Sequence, residues 1–128
     1  MAQTMFERYG GFASVSKVVG EFYERATESP IIGHYFAGKE MRTLIDHQTK
    51  FISSIMGGPA SYSDDQLKVA HANLKIDGQA FNEMATILSE TLEDYDFKAE
   101  DIAILVRGIQ DRMHIIVTQY GNQIHFQL

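Results

Sequence analysis

Apolar residues recur at the spacing of an α-helix along most of the chain, and no stretch alternates polar and apolar residues for the length of a strand. The clearest case is the segment 12–28, where positions i, i+3, i+4, i+7, i+8 and i+11 hold Val15, Val18, Val19, Phe22, Tyr23 and Ala26. A helix has about 3.6 residues per turn, so this spacing places all of them on one face. The sequence therefore predicts an all-α protein.

The same spacing predicts four further helices. They cover residues 41–56, a short segment from about 63 to 74, a segment from Asp77 or Gly78 to about Tyr95, and residues 99–116. Turn signals lie at Gly10-Gly11, Ser29-Pro30 and 57–61, and none is long enough to be a linker between domains. We therefore expect one domain over residues 1–128, with its core in 6–117 and a tail, 118–128, that frays.

Composition and charge restrict the partners. The chain has 11 Lys and Arg against 17 Asp and Glu, a net charge of -6, and no cysteine. Nucleic acid and anionic lipid both require a basic surface, so neither is expected to bind. The absence of cysteine excludes disulfides and thiolate metal sites. Because no secretory signal and no membrane-spanning segment is found in the sequence, we expect a soluble, cytoplasmic protein.

Histidines are the candidate metal ligands of this chain, and their spacing matches neither a His-Glu-x-x-His zinc site nor a di-iron bundle. His47 and His71 each lie on the apolar stripe of a predicted helix, and Tyr23 lies on the stripe of a third. Such a residue is often a core side chain that hydrogen-bonds to the backbone. Alternatively, the three side chains converge on a cofactor cavity between helices. Spacing alone leaves both interpretations open.

A set of short motifs, in this order and spacing, resembles the group I truncated haemoglobins, shortened globins with a two-over-two helical sandwich around a haem. The resemblance extends over about residues 6–117. It rests on Tyr9-Gly10-Gly11, on the run from Val18 to Arg25, on His34-Tyr35-Phe36-Ala37-Gly38, on Met41, on His47-Gln48-Thr49-Lys50-Phe51, on Gly57-Gly58-Pro59, on Ala70-His71 and on Phe81.

The resemblance implies a role for each residue of a haem pocket. His71 is the expected proximal iron ligand, and Phe36, with Tyr35 beside it, is the expected haem-stacking ring. Tyr23 and Gln48 are expected to donate hydrogen bonds to bound dioxygen and to be the catalytic residues. The other expected pocket residues are apolar: Leu44, Phe51, Leu67 and Phe22.

His47 has two possible roles in this family. In some relatives the matching histidine binds iron when no gas is present, which gives a six-coordinate haem, and we favour that role here. The other interpretation places His47 at the mouth of the pocket, solvated or paired with a haem propionate. Ligation would require an incoming gas to displace the histidine.

The resemblance implies a haem b protein that binds dioxygen, nitric oxide and carbon monoxide. The favoured reaction is nitric oxide dioxygenation to nitrate, which requires an external electron donor or reductase because the chain has no room for a reductase domain. The alternative is a six-coordinate haem sensor or electron-transfer protein gated by His47. The least favoured alternative is a helical domain that binds no haem.

Overall fold

The computed structural model describes residues 3–60, 62–71 and 76–117, without the side chains of Ala70 and His71. Within these residues the regular secondary structure is helical throughout, as the sequence predicts. One short 3-10 helix covers Gly33–Phe36. The α-helices are α1 (Met5–Arg8), α2 (Gly11–Thr27), α3 (Met41–Ile55), α4 (Asp64–His71), α5 (Gly78–Asp94), α6 (Ala99–Gln110) and α7 (Met113–Ile116).

Four of these helices form two packed pairs, α2 with α3 and α5 with α6. The pairs stack so that α2 lies against α5 and α3 lies against α6, which is a two-over-two sandwich. The short helix α4 packs mainly against α7 rather than joining either pair. Among the described residues, no helix is both long and apolar enough to cross a membrane.

The helix α2 has the central place in this sandwich. All six residues of its predicted stripe are buried, from Val15 to Ala26. Its opposite side carries exposed residues such as Lys17 and Glu24. Because the stripe is wide enough to face two neighbours, α2 packs on α3 and α5 at once.

Glycine is required where α6 approaches α3. A Cβ atom added at Gly108 would lie 2.9 Å from Cγ2 of Ile55, which is closer than two carbon atoms approach in van der Waals contact. A second requirement lies between α1 and α2, where Gly10 and Gly11 have φ angles of 100° and 78°. These positive angles are unfavourable for residues that carry a Cβ.

Two short helices were not predicted, because four residues are too few to show a helical period. The first, α1, nevertheless has a sequence signature, a Thr-x-x-Glu capping box. The Thr4 N–H donates to Oε1 of Glu7 at 2.9 Å, and the Glu7 N–H donates to Oγ1 of Thr4 at 3.1 Å. The 3-10 helix Gly33–Phe36 has no such side-chain cap.

The prediction of one helix over 99–116 was wrong, because the chain turns at Asp111 and Arg112 between α6 and α7. The apolar positions Ile109, Met113 and Ile116 keep helical spacing across that turn, so periodicity could not reveal it. The end near 74 of the short helix predicted from about 63, and the predicted fraying of the tail 118–128, fall outside the described residues.

A buried carboxylate joins α1 to α6. Asp101 is 4% exposed and accepts from both terminal nitrogens of Arg8, at 3.0 and 3.1 Å, and from the Tyr9 hydroxyl at 2.5 Å. The Tyr9 ring also stacks on Phe97 with centroids 3.8 Å apart. The hydrogen bonds from Arg8 and then Tyr9 lower the pKa of Asp101 below its usual value. The charged carboxylate therefore stabilises the fold.

We expect Asp101→Asn to lower the free energy of unfolding by about 1–3 kcal/mol at neutral pH, because it leaves Arg8 and Tyr9 without a charged acceptor. Because folding lowers this pKa, the stabilisation is present above about pH 4 and is lost as the pH falls through the lowered value. Urea unfolding at several pH values measures both effects. Glu100→Gln, at an exposed carboxylate one position earlier, is the matched control, and an equal loss in both variants would contradict the prediction.

Candidate functional site

A cavity lies among α2, α3, α4, α5, α7 and the 3-10 helix. It contains about 850 Å³ of space without atoms, counting its open side. Six lining residues have polar atoms, namely Tyr23, Tyr35, Lys39, His47, Gln48 and Tyr62. The others are apolar: Phe22, Ile32, Phe36, Leu44, Leu67, Ile76, Ala80, Phe81, Met84 and Ile116. The lining therefore suits an apolar ligand that makes a few polar contacts.

Tyr23 brings a phenol into this cavity from the buried face of α2. Its ring makes edge-to-face contacts with Phe22 and Phe36, at centroid distances of 5.1 and 5.5 Å. Burial raises the pKa of Tyr23 well above its usual value, and a hydrogen bond with the Gln48 side chain partly offsets this rise. The hydroxyl therefore remains protonated at physiological pH and can donate a hydrogen bond.

Three predicted pocket residues come from α3, namely Leu44, His47 and Gln48. Their spacing of three and four residues places them on one side of the helix. Leu44 and Gln48 are half-buried, whereas His47 is exposed. Gln48 thus lies beside the Tyr23 phenol inside the cavity, and His47 lies at its mouth.

Tyr62, in the loop before α4, packs against two rings of α3. Its centroid lies 6.3 Å from that of His47 and 5.6 Å from that of Phe51. Burial raises the pKa of Tyr62. The contacts place a second phenol at the side of the cavity where His47 lies.

The 3-10 helix places Tyr35 and Phe36 in the cavity lining. The Tyr35 hydroxyl accepts a hydrogen bond from the Asp77 backbone, although burial still raises the pKa of Tyr35 overall. Asp77 is also the N-cap of α5, where its Oδ1 accepts from the Ala80 N–H at 2.8 Å. On its other side, the Tyr35 ring lies 4.2 Å from that of His34. The 3-10 helix is thus held to the start of α5.

The helix α4 places Leu67, which is 1% exposed, in the cavity wall. Its start is fixed by a capping box in which the Ser63 N–H donates to Gln66 Oε1 at 2.8 Å and the Gln66 N–H donates to Ser63 Oγ at 3.1 Å. His71 is the last residue of the helix. Its side chain is outside the described part of the structure, so its role as an iron ligand stays a prediction.

Phe51 does not line the main cavity. It lines a smaller one, of about 400 Å³ by the same measure, together with Ile52, Leu88 and Ile109. The two cavities share lining residues, namely Phe22, Gln48, Leu67, Met84 and Ile116. The smaller cavity therefore adjoins the main one, and Gln48 lines both.

Several lining residues were not singled out from the sequence as pocket residues. Tyr62 and Lys39 lie in connections, where no period marks the residues that face inward. Met84 and Phe81 belong to the apolar stripe of α5, and a stripe alone does not distinguish a cavity wall from packed core.

Across the described ranges, no group of three or more His, Asp or Glu residues could hold a metal ion.

The bacterial-like globin family model matches residues 4–118. A group 1 truncated haemoglobin from Synechocystis is 31% identical over 104 residues, which cover 78% of this chain and 84% of the relative. One from Nostoc sp. is 28% identical over 98 residues, which cover 77% and 83%.

Solved structures of truncated haemoglobins have the same fold as this chain. The truncated haemoglobin of Tetrahymena pyriformis in its Fe(III) form superposes with a TM-score of 0.81 at 23% identity, over 90% of this chain and 98% of that one. The two-over-two haemoglobin of Synechococcus gives 0.77 at 22% identity, over 89% and 98%.

With this fold, this cavity and these relatives, the chain belongs to the bacterial-like globins, and within them to the group I truncated haemoglobins. Membership in this family implies binding of haem and of diatomic gases such as dioxygen.

The raised pKa of Tyr23 predicts that its phenol does not ionise in the folded protein at moderately alkaline pH. We expect Tyr23→Phe to leave the alkaline titration of tyrosinate absorbance unchanged up to the point of unfolding. Gln48→Ala, which keeps the phenol but removes a hydrogen bond that lowers its pKa, should give the same curve. The loss of one tyrosinate step in Tyr23→Phe before unfolding would contradict this expectation.

Proposed function

We propose that this protein binds haem b in the main cavity and catalyses the reaction of nitric oxide with dioxygen to give nitrate. The overall reaction, NO + O₂ + e⁻ → NO₃⁻, is balanced by one electron from an external donor. Ferrous haem, when bound, supplies reversible binding of diatomic gases and the reaction of dioxygen with nitric oxide. The observation that carries the proposal is the buried, protonated Tyr23 hydrogen-bonded to Gln48 in the cavity wall.

The residues present fit a haem group. The interior of the cavity is apolar, as the macrocycle requires, and the exposed Lys39 and His47 also line it. The Lys39 ammonium can pair with a propionate carboxylate, which remains in contact with water. We propose that Phe36 contacts the macrocycle, and that Tyr35, Leu44, Leu67 and Phe22 complete its apolar surroundings.

We propose His71 as the iron ligand. It ends α4, the same helix that contributes Leu67 to the cavity wall. A neutral imidazole is a good ligand for iron, and the second ring nitrogen of such a ligand is usually held by a hydrogen bond. A single imidazole would be enough to hold the iron, so the proposed function requires no second iron ligand from this chain.

Tyr23 and Gln48 would stabilise dioxygen in the cavity. A protonated phenol and an amide N–H both donate, and a hydrogen bond to a partly charged oxygen is stronger than one between neutral groups. Because the Tyr23 phenol is already buried and held by Gln48, little reorganisation is required when the gas binds. Slow release of dioxygen gives nitric oxide time to react.

The smaller cavity, which Gln48 also lines, offers a place for nitric oxide. Its walls are mainly apolar, with Phe51, Ile52, Leu88 and Ile109 among them. Nitric oxide is small and apolar, and apolar cavities in proteins take up such ligands. We propose that nitric oxide reaches the reaction site from this cavity. Phe51 would then line the path of nitric oxide rather than the haem pocket.

We expect Tyr23→Phe to raise the dioxygen dissociation rate by about 10- to 100-fold, because the variant loses one strong hydrogen bond to dioxygen. The yield of nitrate per nitric oxide should fall in the same variant. Stopped-flow mixing of the oxygenated protein with nitric oxide, followed by nitrate analysis, measures both.

Tyr95→Phe, at the C-cap of α5 away from the main cavity, is the control for that experiment. Nitrate formation in the wild type no faster than dioxygen dissociation would contradict dioxygenation. Unchanged dissociation in Tyr23→Phe would contradict the role of this phenol.

A second candidate function, sensing or electron transfer by a six-coordinate haem, is favoured by one observation: His47 lines the cavity from its mouth, against the Tyr62 ring. We propose that the His47 imidazole binds iron reversibly from this position. Incoming gas would then compete with His47. The apparent affinity for the gas would equal the affinity of the open site multiplied by the fraction of sites that are open.

If His47 binds iron, His47→Ala should convert a low-spin ferrous absorption spectrum to a five-coordinate one and raise the rate of carbon monoxide association. His34→Ala, at another exposed histidine, is the matched control. High-spin spectra in both the wild type and His47→Ala would leave His47 as a residue of the pocket mouth and exclude this second function.

A further inference from the structure

The position of α4 depends on a small number of contacts. It has eight residues, and an isolated helix of this length is not stable in water. Leu67 buries its side chain, Ser63 and Gln66 cap the first turn, and α7 packs alongside. Because α4 packs mainly against α7, outside the paired helices, its orientation requires further attachment to the sandwich.

Arg112, in the turn between α6 and α7, makes such an attachment with one guanidinium group. Its Nη1 donates to the carbonyl oxygen of Gly108 at 2.7 Å, which fixes it to the last turn of α6. Its Nε lies 3.5 Å from Oδ1 of Asp64, in the first turn of α4. Its central carbon lies 5.7 Å from the ring centroid of Phe51 on α3. One side chain thus contacts three helices.

We propose that Arg112 is a positioning residue for the haem iron, acting through α4 and its last residue, His71. The proposal rests on the proposed function, in which His71 is the iron ligand. Asp64 and His71 are seven positions apart, about two helical turns. A rotation or shift of α4 at Asp64 is therefore transmitted along a short, stiff helix to the ligand.

The geometry requires arginine rather than a simple positive charge. The ion pair with Asp64 is solvent-exposed and by itself contributes little to stability. The planar guanidinium, however, can donate in two directions while its face covers an aromatic ring, which an ammonium cannot do. The three contacts order the same side chain, so its conformational entropy is lost only once.

The experiment compares Arg112→Gln, Arg112→Lys and Asp64→Asn with the wild type, all as haem-bound protein. The matched control is Arg107→Gln, an exposed arginine on α6 that has no ion pair within the described residues. Resonance Raman spectra taken after photolysis of the carbon monoxide complex give the iron–histidine stretching band. Transfer of haem to an excess of a haem-scavenging apoglobin gives its dissociation rate, and circular dichroism gives the melting temperature.

We expect Arg112→Gln to shift or broaden the iron–histidine band and to raise the haem dissociation rate about 10-fold, as the loss of a residue that orients a metal ligand does. Arg112→Lys and Asp64→Asn should give smaller changes in the same direction, and Arg107→Gln none. If Arg112→Gln does not fold, Asp64→Asn alone carries the test.

An unchanged band in Arg112→Gln and Asp64→Asn, with or without a lower melting temperature, would show a merely structural role and overturn the inference. Failure of the proposed function would be visible in the wild type alone, which would bind no haem or would show no iron–histidine band.

Discussion

Six side chains on one stripe of α2 are buried between α3 and α5, and the last turns of that stripe border the main cavity. The stripe is continuous from Val15 to Ala26, but its chemistry changes at Tyr23, where a phenol takes an otherwise apolar position. Burying that hydroxyl unpaired would be unfavourable, and Gln48 of α3 supplies its partner. The helix pair that builds the core therefore also orients the polar groups of the site.

Long helices could be predicted from this sequence because each buries a wide stripe, and the stripe leaves a period. Periodicity identified α2 almost to the residue. It failed for α1 and the 3-10 helix, which are too short to show a period, and it joined α6 to α7 because Ile109, Met113 and Ile116 keep their spacing across the turn. The capping box at Thr4 and Glu7 was a readable signal for α1.

Individual pocket residues required more than periodicity. The resemblance to a family pointed to Tyr23, Gln48, Leu44 and Phe36, and all four line one cavity. It could not supply Tyr62 or Lys39, whose positions result from the paths of two connections rather than from any local pattern. Phe51 shows a different limit, because a residue on the inner face of α3 can line either of two adjoining cavities.

The cluster of Arg8, Tyr9 and Asp101 has a consequence for the order of folding. Arg8 and Tyr9 are separated from Asp101 by 93 and 92 positions along the chain. Closing so long a loop has an entropic cost that early, local contacts do not bear. The N-terminal turn is thus expected to dock late in folding.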